Sequence, residues 1–180
     1  NLGAYGDAGA IVTNNDKLAE KLRMYANHGA LIKHSHKIEG INSRLDGLQA
    51  AILSVKLKYI ETWTSQRIEL AKYYNYKFSE FKDILAPQIH QFAKHVFHLF
   101  VIRTNNRKEI QNILQSNGIN TAIHYPSPLP FLPAYSYLGH SSKDFPVASS
   151  YYDKILSLPI YPELKKESID YIVDLLRKLK

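Results

Sequence analysis

No cysteine occurs among the 180 residues. That excludes disulfide stapling, thiolate nucleophiles and cysteine-held zinc or iron–sulfur clusters, and it fits a reducing compartment. Metal chemistry would have to rest on histidine and carboxylate, yet none of the eight histidines forms the HExxH pair that sets two ligands on one helical face. Apolar runs of membrane-spanning length are missing, as is a cationic segment followed by an apolar stretch and a cleavage site. The expectation is a soluble, cytoplasmic chain with no membrane partner. GxSxG elbows, Walker loops and GxGxxG turns are missing too, as are internal repeats, RNP-like stretches and basic helices that would argue for nucleic acid.

What is present is a chain with 45% hydrophobic residues and a net charge of +7. The first supplies a core, and the second favours anionic partners such as phosphorylated metabolites. The basic residues are scattered, with small clusters at Lys165–Lys166 and at the C-terminus (Arg177, Lys178, Lys180), so a solvated basic face is the plainer account of them.

Periodicity and punctuation predict the elements. Ala8 to Thr13 reads as a short buried strand. Asn14 or Asn15 caps a helix with Leu18, Leu22 and Tyr25 on one face, stopped at Gly29. Residues 30–41 read as irregular. From Leu45 to Phe81, apolar residues recur at spacings of three and four, predicting one long, bent or straight, connecting helix. HVFHLFVIR (95–103), a helix over 107–115 capped by Asn105 and Asn106 and stopped at Gly118, and a strand over 119–123 make a β-α-β unit. The Pro-rich stretch HYPSPLPFLPAY (124–135) must be a loop. Helices over 144–155 and 166–179 flank LSLPIYP. The small residues of GDAGA mark either tight packing or the close approach of a ligand. Residue chemistry alone stops at an α/β chain with a linking helix and a histidine-bearing loop.

Six stretches in order, GAYGDAGAIVTNND, Asn27-His28-Gly29, GINSRLDGLQAAIL, HVFHLFVIR, IHYPSPLP and LSLPIYPEL, resemble the C-terminal half of the DegT/DnrJ/EryC1/StrS family of pyridoxal-phosphate-dependent sugar aminotransferases. The resemblance spans essentially the whole chain. It implies an α/β, fold type I transferase architecture: the end of a large cofactor-binding domain (1–44), a long connecting helix (45–86) and a small α+β domain (87–180). It implies pyridoxal 5′-phosphate as cofactor, held by a Schiff-base lysine immediately before Asn1. No catalytic residue then falls within the chain, either because the protein is truncated or because the cofactor-bearing lysine divides the sequence there. Asn42 matches an asparagine that reaches the cofactor phosphate of a partner subunit, which implies a homodimer with shared active sites; a helix cap is its plainer role.

His34, His36, His124 and Tyr125 match positions near the sugar nucleotide in that family. His34 replaces a frequent tyrosine, and Pro130 and Leu132 replace a frequent His and Gln, so the loop offers fewer polar groups. Arg44 and Asp46 fit a structural ion pair and cap. The implied function is transfer of an amino group from glutamate to a keto sugar on a nucleoside diphosphate, for surface polysaccharide or related sugars, with HYPSPLP most similar to members acting on 3-keto-6-deoxyhexoses. The alternative is a truncated or non-catalytic relative with a binding or sensing role.

Overall fold

Asn15 opens the first helix. Its Oδ1 accepts from the Leu18 amide at 3.0 Å, and α1 runs Asp16–Ala26, so one of the amides that a helix start leaves unpaired is satisfied. In this computed structural model, which describes residues 1–179, the chain divides into two units, Leu2–Ile60 and the run from Glu61 together with Asn1.

In the first unit Gly29 ends α1 in a left-handed conformation (φ +81°), its amide bonding back to the Met24 carbonyl at 2.7 Å. Residues 30–41 are more regular than expected. β1 (Ala30–Ile32) and β2 (Ser35–His36) form an antiparallel hairpin with Ala30 opposite His36. Its turn places His34 at φ +67°, a conformation normally marked by Gly or Asn, so no turn residue announces it. The strand expected over Ala8–Thr13 is absent. Ile11 and Val12 are exposed, and among the described residues this run has no ladder partner, without which extended backbone is no strand. The opening loop is instead pinned to α2 (Gly47–Leu57). Gln49 accepts from the Tyr5 amide at 2.9 Å and donates to the Tyr5 carbonyl at 2.7 Å. Lys56 donates to the Gly3 carbonyl and lies 5.0 Å from the Tyr5 ring centre.

The helix expected over 45–86 is two helices. The amides of Lys58 and Tyr59 bond to carbonyls only three residues back, at 3.3 and 3.0 Å, a tightening that closes α2. α3 follows as Ile60–Phe78. The division between units falls at Ile60 and Glu61 rather than near Pro87, because Leu70, Ala71, Tyr74 and Phe78 of α3 belong to the core of the second unit.

That core is carried by an antiparallel sheet of β3 (Ile84–Leu85), β4 (Phe100–Thr104) and β5 (Ile155–Leu158), with β4 in the middle and Phe100 opposite Leu158. β4 is shorter than HVFHLFVIR because buried Phe97 takes φ +43° and leaves the extended path. α4 (Arg107–Ser116) follows, without a side-chain cap bond from Asn106. The expected second strand shrinks to Ala122, which exchanges both backbone bonds with Ser157. The Pro-rich loop holds two 3₁₀ turns, Leu129–Phe131 and Pro133–Leu138. α5 (Pro146–Tyr151) ends early, since Ile155 already belongs to β5. α6 (Lys166–Arg177) buries Ile169, Ile172 and Leu176 on the expected face.

Tyr74 is fully buried, stacked 4.6 Å from the Phe100 ring, and donates to the Pro159 carbonyl at 3.0 Å. Burial pushes its phenol well above the usual range. Arg67 of α3 donates through one guanidinium nitrogen to the carbonyls of Phe97, His98 and Ile160 at 3.2, 3.3 and 2.8 Å. Burial lowers its pKa, with Glu163 acting in the opposite direction.

Candidate functional site

The segment after α1 is held as a fixed frame by its own backbone. The His28 amide bonds to the Ile41 carbonyl at 2.9 Å, the Ile41 amide to Tyr25 at 2.8 Å and the Ser43 amide to Ala26 at 2.9 Å, while Asn27 and Asn42 form an antiparallel bridge. Two glycines cross within it. A Cβ on Gly40 would stand 2.2 Å from the Gly29 nitrogen, and one on Gly29 would stand 1.7 Å from the Ile38 carbonyl oxygen, so neither position admits a side chain.

This frame carries three of the residues singled out in the sequence. Asn42 is exposed, and its Oδ1 accepts from Arg44 Nε at 3.1 Å. That bond leaves both Nδ2 hydrogens without a partner among the described residues. Asn42 does not cap α2: the N-cap position is Asp46, and no side-chain cap bond is made there. Nor do Arg44 and Asp46 form the expected ion pair among the described residues. His34 sits exposed on the hairpin turn, and His36 Nδ1 bonds to the His28 carbonyl at 2.8 Å. A carbonyl only accepts, so Nδ1 is the donor there and Nε2 of the neutral ring is an acceptor.

The other two candidates belong to the second unit. His124 is half-buried, with Nδ1 2.9 Å from Ser157 Oγ, and its ring meets the Tyr125 ring edge-on with centres 5.6 Å apart. Tyr125 is exposed and borders a cavity of about 500 Å³ with Pro128, Leu129, Tyr151 and Ile155. The Arg103 guanidinium covers the Tyr151 ring at 4.3 Å. Ser157 was missed by sequence reasoning: a serine between two leucines of a strand carries no motif.

Pyridoxal phosphate demands donors for its phosphate. The donor set around Asn42 fits that need: a carboxamide with free N–H groups, its orientation fixed through the other end by an adjacent guanidinium that adds positive charge. Among the described residues no cluster of three or more His, Asp or Glu could hold a metal ion, and no helix is long and apolar enough to cross a membrane.

The family model described as the DegT/DnrJ/EryC1/StrS aminotransferase family matches residues 1–177, and the chain belongs to that family, whose members are pyridoxal-phosphate-dependent. It is 43% identical over 177 residues to the erythromycin biosynthesis sensory transduction protein EryC1 of Saccharopolyspora erythraea, covering 98% of this chain and 48% of that protein. It is 39% identical over 178 residues to dTDP-3-amino-3,4,6-trideoxy-alpha-D-glucose transaminase of Streptomyces venezuelae, covering 99% and 47%. The fold is α/β and superposes on the crystal structure of S. venezuelae DesV in complex with ketimine intermediate, with a TM-score of 0.94 and 38% identity, covering 98% of this chain and 48% of that one. The chain spans about half the length of the curated relatives it matches.

Proposed function

We infer that the chain is the part of a nucleotide-sugar aminotransferase that follows the cofactor-bearing lysine, and that the whole protein moves an amino group from glutamate to a keto sugar on a nucleoside diphosphate. The observation that carries this reading is the exposed Asn42–Arg44 pair on its rigid frame, in a chain 39% identical to a dTDP-sugar transaminase. When bound, pyridoxal phosphate supplies the electron sink for the carbon that exchanges nitrogen. Asn42 would donate to the phosphate from Nδ2, and Arg44, by holding Oδ1, would leave those N–H groups available to the anion. We assign the phosphate to a partner subunit's cofactor, which makes the active protein a homodimer. His34 and His36, exposed on the same frame, and His124 and Tyr125 in the second unit are assigned to the sugar nucleotide, whose diphosphate suits the net charge of +7. The substrate we favour is a dTDP-3-keto-6-deoxyhexose, feeding polysaccharide or related sugar biosynthesis in the cytoplasm.

The test is to incubate the full-length protein with glutamate and a panel of dTDP- and UDP-linked 3-keto and 4-keto sugars, following 2-oxoglutarate and the aminated sugar. Stoichiometric formation of both supports the reading. Absence of transfer across the panel, together with no lysine before Asn1 in the full sequence, would favour the second reading, a non-catalytic relative. The name of the 43%-identical EryC1 protein, which describes sensory transduction, is the observation on that side.

A further inference from the structure

Ser157 lies on β5 between Leu156 and Leu158, both buried, and is itself only 5% exposed. Its backbone amide and carbonyl are spent on Ala122, at 2.7 and 3.2 Å. The hydroxyl is therefore a polar group with no local backbone use, in a place where valine or alanine would pack at no polar cost. A buried hydroxyl is expensive unless it is bonded. Among the described residues its partner is a single atom, His124 Nδ1 at 2.9 Å.

The direction of that bond follows from which donor is buried. If Nδ1 carried the proton and donated to Oγ, the serine O–H would be left as a buried donor with no acceptor. If the serine O–H donates to Nδ1, the buried donor is used, and the imidazole proton must sit on Nε2 at the opposite, more exposed edge of a half-buried ring. Nε2 has no protein partner among the described residues, and Tyr125 against the ring further restricts its rotation.

We propose that Ser157 is a positioning residue that locks His124 in the Nε2–H tautomer and a single ring orientation, so that His124 presents an N–H donor to an oxygen of the sugar nucleotide. The tautomer lock stands on the geometry alone; only the identity of the ligand rests on the aminotransferase reading. A donor at this position selects for acceptor oxygens, hydroxyl or diphosphate.

The experiment uses full-length, cofactor-loaded protein labelled with ¹⁵N-histidine, at a pH above the ordinary imidazole range, with the His124 signals assigned through His124→Gln. Wild type is expected to give the two-bond coupling pattern of a pure Nε2–H imidazole. Ser157→Ala should give exchange-averaged nitrogens with both tautomers populated, and Ser157→Thr, which keeps the hydroxyl, should restore the wild-type pattern. In the same preparations KM for the sugar nucleotide should rise about three- to tenfold in Ser157→Ala, the loss of one neutral hydrogen bond, with kcat within about twofold and recovery in Ser157→Thr. An Nδ1–H pattern in wild type, or an unchanged pattern in Ser157→Ala, overturns the proposal, as does an unchanged KM alongside a scrambled tautomer. If wild type turns over no sugar nucleotide, the aminotransferase reading fails, while the nitrogen spectra still decide the lock.

Discussion

Asn42→Ala in the full-length protein separates a ligand-binding role from a structural one, because the structure sets the two costs far apart. The side chain is exposed and makes one side-chain bond, to Arg44 Nε at 3.1 Å. Its backbone bridge to Asn27 does not depend on the side chain, and the N-cap position of α2 is Asp46, not Asn42. Losing an exposed neutral-to-charged bond, with water free to replace it, should cost folding no more than about 0.5 kcal/mol. A bond from Nδ2 to a phosphate is worth about 1.5 to 3 kcal/mol, and at about 1.4 kcal/mol per tenfold its loss should weaken the hold on pyridoxamine phosphate roughly ten- to a hundredfold. Pyridoxamine phosphate is the right probe because no lysine linkage masks the non-covalent term. Titration calorimetry gives the affinity and a melting scan gives the stability. An unchanged dissociation constant would refute the reasoning outright. Arg44→Ala is the companion variant: freeing the carboxamide to rotate should weaken binding by a smaller factor, about three- to tenfold.

Three further predictions concern what holds each unit together internally. Gly40→Ala should lower stability by more than about 3 kcal/mol, since its Cβ would stand 2.2 Å from backbone, whereas Gly47→Ala, at the start of α2 with open space around it, should raise it by about 0.5 kcal/mol; denaturant melts compare them. Tyr74→Phe should reduce the alkaline loss of stability. The folded phenol is raised by burial, so above about pH 10, where the unfolded phenol ionises, the unfolded state binds fewer protons and this group costs wild type up to about 1.4 kcal/mol per pH unit; stability measured from pH 9 to 11.5 should fall more steeply in wild type than in the variant by up to that amount. Arg67→Ala should destabilise by about 2 kcal/mol or more, leaving the carbonyls of Phe97, His98 and Ile160 without their shared donor. Arg67→Lys should recover part of that loss in the same melts.

The elements that could be read from the sequence are those whose signal is local. Asn15 before α1, Gly29 and Gly118 after α1 and α4, and the Ile169, Ile172, Leu176 stripe of α6 each state their own structure. The division at Lys58–Tyr59 carries no Gly or Pro, and apolar spacing continues through it, so periodicity alone could not place it. The β1–β2 hairpin hid behind a histidine in the left-handed region. Ala8–Thr13 failed for the opposite reason: its pattern is that of a strand, but a strand is a relation between two segments. For the site, Asn42, His34 and His36 proved to share one frame, and His124 and Tyr125 one loop. Ser157 and the Arg44–Asn42 bond depend on side chains meeting in space, which spacing along the chain does not encode.

The crossing of Gly29 and Gly40 has a bearing on how this family member can change over generations. The frame between α1 and α2 owes its shape to main chain against main chain, and its exposed side chains at Lys33, Lys37 and Glu39 contribute little to that shape. Such positions can be rewritten one at a time without remoulding the loop. Drift there alters which chemical groups the frame exposes while the scaffold that carries them stays constant, so new surface chemistry can be sampled by single substitutions at little cost in folding.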